Sequence, residues 1–201
     1  MSESALSTAK ELFYKKEYKK ASDIFLKENK LYEAGFCHFL MNDLENAKKY
    51  WQQDKKNLFA SGWGLNALDY IKHNVKNYPS FLQIRAFYEI YIGLLIESNL
   101  IEYAQNLINV SHELAKANPE VPKFLARVLN AYGYDDLSLE FVKRIRDFGY
   151  MDPEALFISS EIYFRRSEYS NALDDLKRIL DVLPEYYPAV KLKQIILDTY
   201  K

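Results

Sequence analysis

One cysteine, Cys37, is all the chain has, so no internal disulfide can form and no paired-cysteine metal site is available. Glycine and proline are scarce, six of each in 201 residues. That scarcity argues against a β-sandwich or barrel, whose strands need a turn signal at roughly every ten residues. An excess of one charge is also missing: 27 basic residues against 28 acidic ones leave a formal net charge of −1. No overall field therefore draws in nucleic acid or an anionic membrane, and only a local patch could. Long uncharged apolar runs do not occur. The most apolar segment, Phe81 to Leu100, carries Arg85, Glu89 and Glu97, charges that suit a buried helix better than a membrane span. The N-terminal stretch has no basic region followed by an apolar run, so no secretory signal is expected and a cytoplasmic location is.

Signatures of catalysis are equally sparse. GxxxxGK[ST], GxGxxG, GxSxG and HExxH are all absent, and Gly62-Trp63-Gly64 lacks the third glycine of a phosphate-binding turn. His38, His73 and His112 stand far apart in sequence; His38 is expected to pack as an aromatic would, and Cys37 beside it as a small hydrophobe. The adjacent carboxylates Asp135/Asp136 and Asp174/Asp175 fit helix starts or solvated faces, where the helix dipole accounts for acids. No catalysis, cofactor or metal is expected.

What is present is apolar and aromatic. Hydrophobic residues make up 49% of the chain, with 17 Tyr and 12 Phe, enough to build a core with large aromatic knobs in it. The clearest pattern runs from Asp152 to Pro188. Asp152 and Pro153 read as an N-cap and a first-turn proline. Leu156, Ser160, Tyr163 and Phe164 then fall on one helical face, and after a turn at Arg166 to Glu168 a second stripe runs Tyr169, Ala172, Leu176, Ile179, Leu180, closed by Pro184. Twelve residues separate Ser160 from Ala172, and the same step separates Ala9/Ala21, Gly35/Ala47 and Ala126/Ser138, with Ile92/Ala104 as a degraded copy. Four residues after each second position stands a large one: Phe25, Trp51, Ile108, Val142 and Leu176. Ala104, Ser138 and Ala172 lie 34 apart, and Asn118-Pro119-Glu120-Val121 keeps the same distance from Asp152-Pro153-Glu154-Ala155.

Small residues at these positions, with a large one four later and a 34-residue step, resemble the tetratricopeptide repeat. The resemblance implies an all-α fold: a right-handed α-solenoid of about twelve antiparallel helices in one domain spanning 1–201, with repeats near 2–29, 30–56, 79–118, 119–150 and 152–184. Ala21 to Ala47 is only 26 residues, a shortened repeat. Ala47 to Ala104 is 57, which is no multiple of the period, so an out-of-phase extra helix is expected near 58–73. It is followed by a connection over 73–80 in which Tyr78 is extended before Pro79. Over 186–200, Tyr187, Val190, Leu192, Ile195, Ile196 and Tyr200 are expected on one side of a capping helix.

By the same resemblance, the first helix of each pair lines a concave groove. Its lining would be Leu6, Lys10, Phe13 and Tyr14, then Tyr32, Phe36, Phe39 and Leu40, then Glu89, Gly93 and Ile96, and last Phe157, Glu161, Phe164 and Arg165. An aromatic N-terminal end suits an apolar or amphipathic helical segment; alternatively the same aromatics pack against neighbouring helices or lie under the extra helix. The lysine and asparagine clamp of the co-chaperone branch is not in register, so chaperone C-terminal tails are disfavoured. Lys15, Lys16, Lys19 and Lys20 around the first turn read as a solvated loop. The expected role is a non-catalytic scaffold or adaptor that binds another protein or peptide segment. The alternative is a structural subunit joined to others by its helical ends. With Glu89 and Glu161 predicted on the inner face, RNA is a poorer fit. Neither a nucleic-acid partner nor membrane insertion is expected.

Overall fold

A computed structural model describes residues 3–74, 79–116, 118–149 and 151–199. Tyr78 and Tyr200, and with them two of the expectations above, lie outside those residues. Every regular element among the described residues is a helix, and there are twelve. They are α1 (Glu3–Tyr14), α2 (Tyr18–Lys27), α3 (Leu31–Leu40), α4 (Leu44–Gln53) and α5 (Leu58–Ile71). Next comes one continuous helix made of α6 (Phe81–Ala86), a π-helical turn (Phe87–Tyr91) and α7 (Ile92–Glu97). Then follow α8 (Ile101–Ala115), α9 (Glu120–Ala131), α10 (Asp135–Asp147), α11 (Pro153–Arg165), α12 (Tyr169–Val182) and α13 (Tyr187–Thr199). The chain divides into two compact units, Met1–Ser111 and His112–Lys201. In both, helices pack mostly on their neighbours in sequence, with α3 also reaching α5, and α11 reaching both α9 and α13. None of the helices among the described residues is long and apolar enough to cross a membrane.

One turn joins most of these helices. At Lys16, Asn29, Asn42, His73, Asn99, Gly133 and Ser167 the backbone enters the left-handed region, with φ between 54° and 77°. At each of them that residue's N–H and the next one's N–H return to two carbonyls of the last helical turn; at Lys16 the acceptors are Phe13 and Leu12. This is the Schellman closure, which satisfies carbonyls a helix end would otherwise leave open. Except after His73, the next helix starts two residues later, so little slack separates partners. Asn99, Gly133 and Ser167 lie 34 apart, and the turn chemistry therefore keeps step with the core.

The small positions do what their spacing requires. Ala9, Ala21, Ala47, Ala126, Ser138, Ser160 and Ala172 are completely buried, and the large residues Phe25, Trp51, Ile108, Val142 and Leu176 are buried beside them. Where side chains are short, helices approach closely enough for a large neighbour to fill the remaining space. Ser138 on α10 even donates its hydroxyl hydrogen to the Ala126 carbonyl of α9 at 2.8 Å. Asp152 caps α11 as expected, accepting from the Ala155 N–H at 3.0 Å, with Pro153 following. At α6, Ser80 and Gln83 add a reciprocal capping box.

Two expectations need correction here. The stripe placed on one side of α13 splits: Ala189, Leu192 and Ile196 are buried against Leu156, Ala172, Leu176 and Ile179, while Tyr187, Val190 and Ile195 are exposed. Asp175 is not on a solvated face but buried, because Arg146 reaches it at 2.9 Å and Ser159 donates to it. The lysines around the first turn are exposed as expected, and Lys16 also donates to the Glu97 carbonyl at the C-terminal end of α7 at 2.9 Å.

Candidate functional site

In the first unit the aromatic residues expected to line a groove have found partners inside the fold. Phe13 of α1 and Tyr32, Phe36 and Phe39 of α3 form a run of rings whose neighbouring centroids lie 6.0–6.2 Å apart. Tyr91, at the end of the π-helical turn, packs edge-on against Phe36 at 4.9 Å and against Phe39 at 5.9 Å. Phe87 links Tyr91 to Tyr70 of α5. Phe36 is 6% exposed and Phe39 0%, and Tyr91 of the helix Phe81–Glu97 is part of what covers them. Burial raises the pKa of both Tyr32 and Tyr91, whose hydroxyl oxygens stand 3.5 Å apart. Tyr14, by contrast, is 81% exposed. Of the residues expected along the middle helix, Glu89 is exposed and paired with Arg85 at 2.8 Å, Gly93 is buried and Ile96 is half-buried.

Cys37 and His38 behave as core. Burial pushes the Cys37 thiol up to about 12. His38 Nδ1 lies 2.8 Å from Asp43 Oδ2, and Asp43 also accepts from Asn46 at the start of α4. The hydrogen bond from the Asn46 side chain, more than the one from His38, holds the Asp43 carboxyl below its usual range.

The second unit retains an open groove. Its walls are α9 and α11, with Tyr186 at one end, enclosing about 510 Å³; that is within the range of ordinary ligand clefts, roughly 300–1,000 Å³. Phe157 and Glu161 of α11 line it as expected, joined by Lys123, Arg127 and Asn130 of α9 and by Asp152 and Glu154. Arg165 stands beside it, donating to Asn130 Oδ1 at 2.6 Å and to Asp135. Phe164 is turned to Tyr169 instead, with ring centroids 6.0 Å apart. Besides the Arg165–Asn130 bond, polar contacts cross between the walls from Lys123 to Asp152 at 3.1 Å, from Arg127 to Glu154 at 2.6 Å, and from Asn130 to Glu161 at 2.9 Å. Burial pulls the Lys123 ammonium down, but its hydrogen bonds to Glu120 and Asp152 outweigh that and its pKa is raised.

The two cations therefore face carboxylates, whereas Glu161 meets a neutral amide. Its charge is felt at Tyr186, whose pKa is raised first by burial and then by Glu154, Glu161 and Asp152. The groove thus pairs an aromatic surface, Phe157 and Tyr186 in edge contact at 5.9 Å, with the Glu161 carboxylate, which accepts from Asn130. Sequence periodicity could place Phe157 and Glu161 one turn apart on α11, but it had no means of bringing α9 opposite them. Among the described residues no group of three or more His, Cys, Asp or Glu side chains could hold a metal ion. Comparison with known protein families, with curated proteins and with solved structures gives no match.

Proposed function

We propose that the chain is a non-catalytic scaffold that binds a segment of another protein along the α9/α11 groove, on tetratricopeptide-like antiparallel hairpins wound into a right-handed solenoid. The observation that carries this is the groove's lining: an aromatic pair beside a carboxylate that faces only an amide. Such a surface accommodates an extended or helical segment bearing one apolar residue for Phe157 and one Lys or Arg for Glu161. Support for the repeat comes from the shared 34-residue step of the small core positions and of the turns. Phe36 and Phe39 take no part in this binding, because both are buried with Tyr91 packed against them.

Affinity capture with mass spectrometry, comparing wild type with Phe157→Ala and Glu161→Lys, tests the reading. Both variants are expected to fold and to lose the captured partner. If both fold and retain it, the groove is not the binding surface.

A second reading, a structural subunit, is favoured by the apolar end of the second unit, where Val182, Leu183, Tyr187 and Leu197 are exposed. Size-exclusion chromatography with light scattering separates the two. A monomer fits the adaptor, and a defined oligomer broken by Tyr187→Glu fits the subunit.

A further inference from the structure

The extra helix α5, which interrupts the repeat, begins with an unusual surface. Leu58 is 71% exposed and Phe59 64%, and a side chain at Gly62 one turn on would meet nothing within 4 Å. Trp63 stands with its ring 4.3 Å from that of Phe59 and is half-buried. Lys55 and Lys56, immediately before α5, are exposed, as are Lys48 and Lys49 on the preceding helix α4.

Two features show that helix stability does not explain the arrangement. Lysines just before a helix start oppose the dipole, and α5 has no acidic residue in its first turn to offset them. The one acid within the segment, Asp54, is buried and turned inward. Its carboxylate accepts from the N–H groups of Lys56 and Asn57 at 3.1 Å each and from the Ser61 hydroxyl at 2.7 Å. The corner is thus held in shape from behind while Leu58, Phe59 and the adjacent Lys55 and Lys56 are exposed. The chain as a whole carries a formal charge of only −1, so this charge is local.

We infer that the α4–α5 corner is a peripheral docking surface for an anionic lipid bilayer, with Leu58 and Phe59 entering the headgroup region and the lysines meeting acidic lipid headgroups. Charge complementarity selects this occupant, and the apolar tip distinguishes it from a nucleic-acid site, where polar donors and open stacking faces carry the binding. Trp63, packed on Phe59, is of the residue type that membrane interfaces favour.

Flotation of the full chain with vesicles provides the test, using phosphatidylcholine alone and an equal mixture of phosphatidylcholine and phosphatidylserine. Binding is expected to the mixture only, and to weaken with salt. Lys55→Gln with Lys56→Gln should lower partitioning about thirty-fold, and Leu58→Ser with Phe59→Ser about tenfold or more. All four positions are exposed, and circular dichroism checks that the variants remain folded. Leu58→Ser alone leaves the Phe59–Trp63 contact intact and should still lower partitioning. Three results overturn the assignment: no binding to the mixture, full binding by the Leu58/Phe59 variant, or binding to a single-stranded oligonucleotide in place of vesicles.

Discussion

At the scale of single residues, Trp51 decides how tightly the first unit closes. Its indole donates to the Tyr32 carbonyl at 3.1 Å, and a Cβ added at Gly35 or Gly64 would come within 2.5 or 2.6 Å of the ring. Two helices therefore clasp one side chain from opposite faces. Gly35→Ala and Gly64→Ala should each destabilise by about 1–3 kcal/mol despite the better helix propensity of alanine. Gly62→Ala, facing open space, should instead stabilise by about 0.5–1 kcal/mol; urea midpoints of the three variants give the comparison. The sequence marked Gly35 as a small position through its spacing from Ala47, but Gly64 carried no such sign, since its partner lies on a different helix. Cys37 gives a second residue-scale test. Because burial raises its pKa, its stabilising effect is fully present below the ordinary value of 9.0 and is lost as pH rises toward about 12. Ellman's reagent at pH near 8 should leave the folded chain unmodified and react fully once denaturant is added.

Among the elements, the recurring turn makes the clearest demand. Ser167 holds a left-handed conformation that costs a residue with a side chain roughly 1 kcal/mol, whereas Gly133 adopts it freely. Ser167→Gly is expected to raise stability by about 0.5–1 kcal/mol and Gly133→Ala to lower it by about 1 kcal/mol, read from thermal or urea unfolding. The sequence placed Ser167 in a turn, Lys16 at the first turn and His73 at the start of a connection, but unlike asparagine none of these residue types favours the left-handed conformation each adopts. There the closing hydrogen bonds and the packing of the flanking helices override local preference. The α13 stripe shows the opposite failure. Apolar residues at neighbouring positions gave the helix without saying which of two apolar faces would be inward, and the buried choice fell to Ala189, Leu192 and Ile196.

For the molecule as a whole, the small-and-large pattern and its period made the helical pairing readable, and the 57-residue interval located α5. What composition and spacing left hidden are contacts between non-adjacent helices, such as Tyr91 on Phe36 or Arg146 on Asp175. The latter pair joins α10 to α12 with Ser159 of α11 between them. Asp175→Ala leaves Arg146 without its buried partner and should cost about 1–3 kcal/mol, less than a fully buried ion pair because Arg146 is partly solvated. Chemical unfolding of the full chain, with Asp174→Ala on the exposed neighbour as control, measures the difference.

The short joints between helices, most of them three residues, have an architectural corollary. Where each rod leans chiefly on the one before it, a new rod can be spliced in, as α5 is, without rethreading anything already laid down. Growth by insertion then leaves earlier layers untouched while giving the newcomer an outward side free of obligations to the core, which is where a novel attachment point can arise at little structural risk.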